Sequence, residues 1–389
     1  MKKTISILGS TGSIGLNTFK IINKRKNNFQ INLLSANKNL KLISKQIRIY
    51  KPKLFIINDK RIFKKVAEKF KKSKTKILNS FEKIHNKKIS HITVSTIPGI
   101  AGLKPTILMT KKSNKILIAN KESIICGWNL IKRAAIKNKT KIIPVDSEHF
   151  SILNLLKNHS VDEVKKIYIT ASGGPFLNYK RKQFKKIKPV DALNHPKWKM
   201  GKKISVDSST LMNKILELAE AQKLFNISND KLDILVHPDS LVHAIIEFKN
   251  GLVKFMYHDT SMIIPLANAI FDGKIDIKNF YQNNNLKFKD KVTKNLNFRK
   301  VNNKIFPLIK LKNRILELPS TPIIINAANE ILVDHFLNKK LQFLGIHKII
   351  MSVLNDRNYK KYAIRKPKNI NHIIKIDKWA RETANKYVL

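Results

Sequence analysis

Residues Thr4–Lys24 read TISILGSTGSIGLNTFKIINK, and this stretch decides the fold class. An apolar, β-branched run from Ile5 to Leu8 leads into glycines at 9, 12 and 15. A helical pattern follows, with Ile14, Thr18, Ile21 and Ile22 on neighbouring turns. Strand, glycine turn and helix is the order a dinucleotide site requires. The glycines permit a tight turn and close backbone approach to a pyrophosphate, and the helix N-terminus offers unpaired N–H groups and a positive dipole end. The spacing is G-x-x-G-x-x-G and not the commoner G-x-G-x-x-G, so a plain strand-to-helix turn stays open as the alternative.

The next expected strand, INLLSANKN (31–39), bears on the choice of nicotinamide cofactor. An NAD site ends this strand in Asp or Glu for the ribose 2′-hydroxyl. Here the strand ends in Ser35, Ala36, Asn37, Lys38 and Asn39, with no carboxylate to repel a 2′-phosphate and with Lys38 available to pair with one. NADPH is therefore expected, the alternative being that Lys38 is one more solvated lysine. HITVSTIPGIAGLKPTI (91–107) and KILIANKES (115–123) read as two further buried strands, each followed by a turn into a helix. Alternating strands and helices imply a doubly wound α/β sheet whose ligands collect beyond the carboxyl ends of the strands. Asn120, Lys121 and Glu122 lie at one such end, and Asp146–His149, after the strand KIIPV, at another.

Composition sets outer limits. A chain of 389 residues with 43% hydrophobic residues has room for two or three domains with cores. No apolar run is long enough for a membrane span, and Gly9 interrupts the N-terminal run too early for a signal-peptide core, so a soluble cytoplasmic protein is expected. The single cysteine, Cys126 in SIICGW, reads as a small core hydrophobe. The net charge of +51, from 77 Lys and Arg against 26 Asp and Glu, invites a nucleic-acid reading. The lysines are spread through almost every segment, however, and no zinc-finger, homeodomain or basic-zipper pattern occurs. Non-specific adhesion to polyanions is expected, and specific nucleic-acid binding is not.

Acids are scarce, so PVDSEHFSI (144–152) stands out. On an extended backbone Asp146 and Glu148 point to the same side and reach one hard cation. Equally, Asp146 or Ser147 caps a helix starting near His149, with Glu148 favouring its first-turn dipole. A third carboxylate would come from KISVDSSTLMNKILELAEAQKLF (203–225). There Asp207–Thr210 read as a capping cluster for a helix with Leu211, Ile215 and Leu218 in its apolar rows. Asn213 and Lys214 stand one turn before Glu217, a polar group suited to a phosphorylated substrate or, alternatively, a solvated face with an internal salt bridge. YITASGGPF (168–176) ends in Ser172, Gly173 and Gly174, whose successive N–H groups suit an anion nest. NHPKWKMGKKIS (194–205) places His195, Trp198 and Met200 in a segment too polar for core, a water-excluding lid or a surface loop with one buried anchor.

Taken in order, GSTGSIG, ANKES, PVDSEH, SGGPF, HPKWKMGKKISVDSSTLMNK, HPDSLVH and NAANE resemble the 1-deoxy-D-xylulose 5-phosphate reductoisomerase family. The resemblance implies NADPH- and divalent-metal-dependent formation of 2-C-methyl-D-erythritol 4-phosphate, in the non-mevalonate route to isoprenoid precursors. It implies a V-shaped homodimer with an N-terminal Rossmann-like domain (1–146), a central α+β catalytic and dimerisation domain (147–271) with a flexible loop near 193–201, a linker (272–304) and a C-terminal helical domain (305–389). The metal ligands, for Mg²⁺, Mn²⁺ or Co²⁺, are then Asp146, Glu148 and Glu217. Lys121, Glu148, His195 and Trp198 are the catalytic residues. Substrate contacts fall to Lys121, Ser147, Glu148, His195 and Glu217, and the phosphate pocket to Ser172, Ser208, Asn213 and Lys214, with His195 and Trp198 on the closing loop. NADPH contacts fall to Thr11, Gly12, Ser13, Ile14, Asn37, Lys38, Asn39, Asn120, Glu122 and Gly201. Two positions depart from the pattern, each replacing a glycine: Asn37 in the adenosine-side turn, and Ile215 between Lys214 and Glu217. Two other readings compete. A metal-free NADPH dehydrogenase leaves three carboxylates idle, and a basic nucleic-acid-binding protein explains none of the motifs.

Overall fold

The computed structural model describes residues 2–84, 89–198, 200–280 and 296–388. The chain packs into two units, one of Met1–Ser123, Asn129–Phe150 and Ser261–Lys291, the other of Ile124–Trp128, Ser151–Thr260 and Val292–Leu389.

The first unit is built on β1 (Lys3–Leu8), β2 (Phe29–Ala36), β3 (Leu54–Ile57), β4 (Lys76–Leu78), β5 (Ser90–Ser95), β6 (Ser113–Ile118) and β7 (Lys141–Pro144). These form one parallel sheet in the order β4-β3-β2-β1-β5-β6-β7. Its strands read as near-continuous apolar runs because crossover helices cover both faces of such a sheet, and Ile5, Ile7, Leu8, Leu33, Leu34, Phe55 and Ile116 are fully buried. The crossovers are α1 (Ser13–Lys24), α2 (Leu40–Tyr50), α3 (Lys60–Lys69), α4 (Leu103–Thr110) and α5 (Lys121–Lys137), and α6 (Ser147–Leu155) follows β7. Asn39, Asp59 and Asn120 accept first-turn N–H groups of α2, α3 and α5 and so mark where those helices start. Strand order runs outward in opposite senses from β1, which has β2 on one side and β5 on the other. That switch point is where doubly wound sheets open a crevice for ligands, and the loop leaving β1 is the glycine motif.

The second unit begins with β8 (Val164–Ala171), followed by α7 (Pro189–Leu193), α8 (Lys202–Ser209) and α9 (Met212–Phe225), then β9 (Leu232–Val236), β10 (Val242–Phe248) and β11 (Val253–Tyr257). With β12 (Arg299–Lys300), its sheet has the order β11-β10-β8-β9-β12, in which β8 and β9 run parallel and the other pairs antiparallel. The helix α10 (Ile263–Phe271), expected in the catalytic domain, instead packs in the first unit. Phe271 meets Phe29 edge to face with ring centroids 5.6 Å apart, and Lys115 bonds Ala269 O and Asp272. Of the stretch 272–304 expected as a linker, residues 281–295 lie outside the described ones. Arg299–Lys300 within it form β12 against Leu235 and Val236.

The unit closes with α11 (Thr321–Leu337), α12 (Phe343–Leu354), α13 (Tyr359–Ala363) and α14 (Ile370–Val388). Twelve residues of α11 are buried, among them Asn326 and Asn329, because it runs through the middle of this helical group. Among the described residues no helix is long and apolar enough to cross a membrane.

Candidate active site

The glycine loop is a backbone cradle. Gly9 has φ +79°, and a Cβ there would lie 2.8 Å from Thr96 Oγ1. A Cβ on Gly15 would lie 2.6 Å from the Gly9 carbonyl oxygen, so α1 approaches the loop as closely as backbone allows. Gly12 stands at the N-cap of α1 with no side-chain cap, which leaves the helix end open to an anion. Two residues that sequence reasoning missed hold the loop in place. Ser35 accepts Gly9 N–H at its Oγ and Ser10 N–H at its carbonyl, at 3.1 and 2.8 Å. Gln46 accepts from Ser10 Oγ at 2.7 Å and donates to the Ser10 carbonyl at 2.9 Å. The available signal was a glutamine between Ile43 and Ile47, on the buried side of α2. Asn37, Lys38 and Asn39 are exposed, and Asn39 caps α2 by accepting Leu42 N–H at 3.0 Å.

At the far strands of the same unit, Asn120 is buried and fully engaged. It accepts Ser123 N–H at 2.6 Å and donates to the carbonyls of Gly99, at 3.0 Å, and Ile97. Next to it Lys121 Nζ lies 3.2 Å from Asp146 Oδ2. The expectation that Asp146 and Glu148 share one side of an extended strand is corrected here, because α6 already starts at Ser147. Asp146 Oδ1 takes the Glu148 N–H at 3.3 Å, its carbonyl takes the Phe150 N–H at 2.8 Å, and His149 Nδ1 lies 3.2 Å from Oδ1. Asp146 thus caps, and Glu148 sits in the first turn with Oε2 accepting from Ser147 Oγ at 2.6 Å. His149, fully buried, had no role in the sequence reading.

In the second unit, Ser172 and His195 meet, with Ser172 Oγ 3.0 Å from His195 Nε2 and accepting Gly174 N–H at 3.0 Å. His195 Nδ1 accepts two backbone N–H groups, from Lys197 at 3.1 Å and Trp198 at 2.9 Å. An imidazole nitrogen that accepts carries no proton, so the ring proton sits on Nε2, where it donates toward Ser172. Burial, with the positive charge of Lys214 beside it, pushes His195 down to about 4, and the ring is neutral at neutral pH. Gly174, φ +61°, lies against the end of α8, where a Cβ would stand 3.1 Å from the Ser208 carbonyl oxygen.

Asp207–Thr210 do not form the expected cap of the next helix. They close α8, and α9 starts after Leu211, whose φ of 65° breaks the run; only Thr210 reaches α9, accepting Met212 N–H at 3.3 Å. On α9, Lys214 Nζ lies 2.6 Å from Glu217 Oε2 and Asn213 Nδ2 bonds Glu217 Oε1. Glu217 is fully buried, so this is no solvated face. Ile215, also fully buried, is a core residue. Trp198 is half-buried, its ring 6.1 Å from that of His243, which stacks on His258 at 3.8 Å. Lys199 in the same segment lies outside the described residues. Gly201 starts α8 with open space around its Cα.

A glycine cradle at the switch point of a parallel sheet, together with a second unit that gathers serine, histidine and lysine donors, defines a nucleotide-binding α/β enzyme acting on an anionic substrate. Family models agree: residues 5–127 match 1-deoxy-D-xylulose 5-phosphate reductoisomerase, 142–225 its C-terminal domain model, and 259–383 the DXP reductoisomerase C-terminal domain. The chain is 45% identical over 380 residues to the 1-deoxy-D-xylulose 5-phosphate reductoisomerase of Pelagibacter ubique, covering 95% of this chain and 96% of that one. It is 39% identical to that of Wolbachia pipientis wMel, covering 99% and 98%. Among solved structures, the Zymomonas mobilis reductoisomerase in complex with NADPH superposes with a TM-score of 0.87 at 31% identity, covering 100% of this chain and 99% of that one. A DOX-P reductoisomerase with NADPH, fosmidomycin and magnesium does so at 0.90 and 29%, covering 99% and 98%. The chain belongs to the 1-deoxy-D-xylulose 5-phosphate reductoisomerase family.

Proposed function

We propose that this chain, with NADPH and a divalent cation, rearranges and reduces 1-deoxy-D-xylulose 5-phosphate to 2-C-methyl-D-erythritol 4-phosphate. The observation that carries this reading is the Ser172–His195 pair with Lys214 beside it: two neutral donors and an ammonium group, gathered where a substrate phosphate needs them. Ser208 and Asn213 complete that pocket.

The first unit fits NADPH. Thr11–Ile14 open the uncapped end of α1 to the pyrophosphate, no acid follows β2, and Lys38 is exposed to meet a 2′-phosphate. Asn37, Asn39, Asn120, Glu122 and Gly201 line the rest of the cofactor path in this reading. The donor chemistry of Asp146, Glu148 and Glu217, all carboxylates, fits a hard cation such as Mg²⁺, Mn²⁺ or Co²⁺. Asp146 and Glu217 each lie against a lysine ammonium, so both already hold positive charge.

When bound, the cation polarises the substrate's carbonyl and hydroxyl oxygens and NADPH supplies hydride to the rearranged aldehyde. Lys121 and Ser147 orient the sugar chain, and Glu148 holds or moves a hydroxyl proton. His195, neutral with its proton on Nε2, donates to Ser172 Oγ and so turns that hydroxyl's own proton toward the phosphate. Trp198 and the 193–201 segment close over the substrate and exclude water, so that binding of the unreacting phosphate drives closure.

Residues 147–271 are the catalytic and dimerisation domain in this reading, apart from α10, which packs in the first unit, and 305–389 form the C-terminal helical domain. The homodimer is supported by β11, an edge strand whose Val253 and Phe255 are 58% and 51% exposed, beside Leu252 at 57%. A second copy pairing through this edge would cover its apolar side chains and give a two-fold interface. The protein acts in the cytoplasm on a small phosphorylated sugar and binds neither membrane nor specific nucleic acid.

The test is nicotinamide absorbance followed with 1-deoxy-D-xylulose 5-phosphate, with and without Mg²⁺. Oxidation of NADPH is expected to need both substrate and metal and to stop with EDTA. Chelator-resistant oxidation would instead favour a metal-free dehydrogenase.

A further inference from the structure

The stretch NAANE (326–330) has no role in the reading above. It lies on α11, where Asn329 is fully buried. A buried amide costs stability unless it is hydrogen-bonded. Asn329 Nδ2 donates to Asp207 Oδ1 at 2.7 Å, across 122 residues of sequence. Asp207 is itself buried, and its other oxygen, Oδ2, lies 3.0 Å from Lys203 Nζ one turn earlier on α8. One carboxylate thus ties α8 both to itself and to α11. The Asn329 Oδ1 has no protein partner among the described residues. A half-satisfied buried amide is a poor way to stabilise a core, which argues for a role in placement.

What it places follows from the position of Asp207. The next residue is Ser208, whose carbonyl packs against Gly174 of the turn that carries Ser172. The first residue of α8 follows Gly201, the end of the proposed closing segment. The helix α8 is 8 residues long and ends at Ser209, and Asp207 lies on its buried side with Ser205, Val206 and Ser209.

We propose that Asn329 is a positioning residue for the phosphate pocket: through Asp207 it sets the depth of α8 and hence the place of Ser208 relative to Ser172 and His195. The inference rests on the assignment of those residues to a substrate phosphate. An aspartate at 329 would repel Asp207. Exchanging the two residues, in Asp207→Asn with Asn329→Asp, recreates the same amide–carboxylate contact in reverse.

The experiment measures kcat, KM for the sugar phosphate, KM for NADPH, and inhibition by inorganic phosphate, alongside melting temperature. For Asn329→Asp, KM for the sugar phosphate and the phosphate inhibition constant are expected to rise by about tenfold or more, the size of a lost hydrogen bond to a charged group, with KM for NADPH unchanged. The double exchange is expected to recover most of that loss. If Asn329→Asp does not fold, Asn329→Ser, which keeps a donor but shortens it, is expected to give a smaller rise of the same kind. Unchanged phosphate inhibition in a folded Asn329 variant, or no recovery on exchange, would overturn the proposal even if Ser208→Ala and Lys214→Gln weaken phosphate binding. Normal phosphate inhibition in those two variants would remove the phosphate assignment itself, and this inference with it.

Discussion

The two proposed anion corners of this protein are built from different materials. The loop after β1 offers backbone N–H groups and a helix end, and its demands on side chains are negative: Gly9 and Gly15 must have none. The corner after β8 relies on side chains, with Ser172, His195 and Lys214 held in place by backbone donors and by Glu217. A backbone cradle binds any pyrophosphate and tolerates exchange of the residues between its glycines. A side-chain corner responds to single substitutions and also to protonation. The first suits a cofactor shared by many enzymes, and the second suits a particular substrate.

The sharpest way to separate the corners is Glu217→Gln. It removes the charge that the buried Lys214 leans on as well as a proposed metal ligand. Turnover is expected to fall by about a hundredfold or more and the melting temperature by several degrees, with the NADPH dissociation constant unchanged. An equal loss in cofactor affinity, measured by fluorescence titration, would show that the two corners are not independent.

The converse variant is Gly15→Ala. Its Cβ would meet the Gly9 carbonyl at 2.6 Å, so the loop must shift or α1 must move, a strain of about 1–3 kcal/mol. NADPH binding is expected to weaken by about tenfold while inhibition by inorganic phosphate stays normal. Wild-type cofactor affinity in this variant would mean that the loop is only a strand-to-helix turn.

The smallest effect is in pH. His195 titrates at about 4 in the folded protein, below its ordinary 6.5, because burial and Lys214 oppose its charge. Between those values the unfolded chain binds a proton that the folded one does not, so stability rises with pH over this window and the effect levels off below it. His195→Gln is expected to flatten that slope in melting temperature against pH. A slope that persists unchanged would assign it to another group.

Much of the first unit was legible because its rules are local. A glycine turn between an apolar strand and an amphipathic helix is dictated by sterics within a dozen residues, and the missing acid after β2 is visible in the order of five residues. The helix at 203–225 was less legible. Leu211 is a good helix former by propensity, yet it takes φ 65° and splits the segment into α8 and α9, because packing overrides propensity there. At Asp146 and Glu148 the sequence left an extended strand and a helix cap open, and the local cap won.

The sequence by itself determined the parallel nucleotide-binding sheet, the order of the motifs and the residue types that meet anions, since these depend on backbone sterics and on the chemistry of each side chain. Only the tertiary structure decided that His149 and Glu217 are buried, that His195 keeps its proton on Nε2, that Gln46 clamps the glycine loop, and that Asn329 reaches Asp207. Burial and partnership depend on which distant segments close over a group, and the pattern of residues around that group carries no record of them.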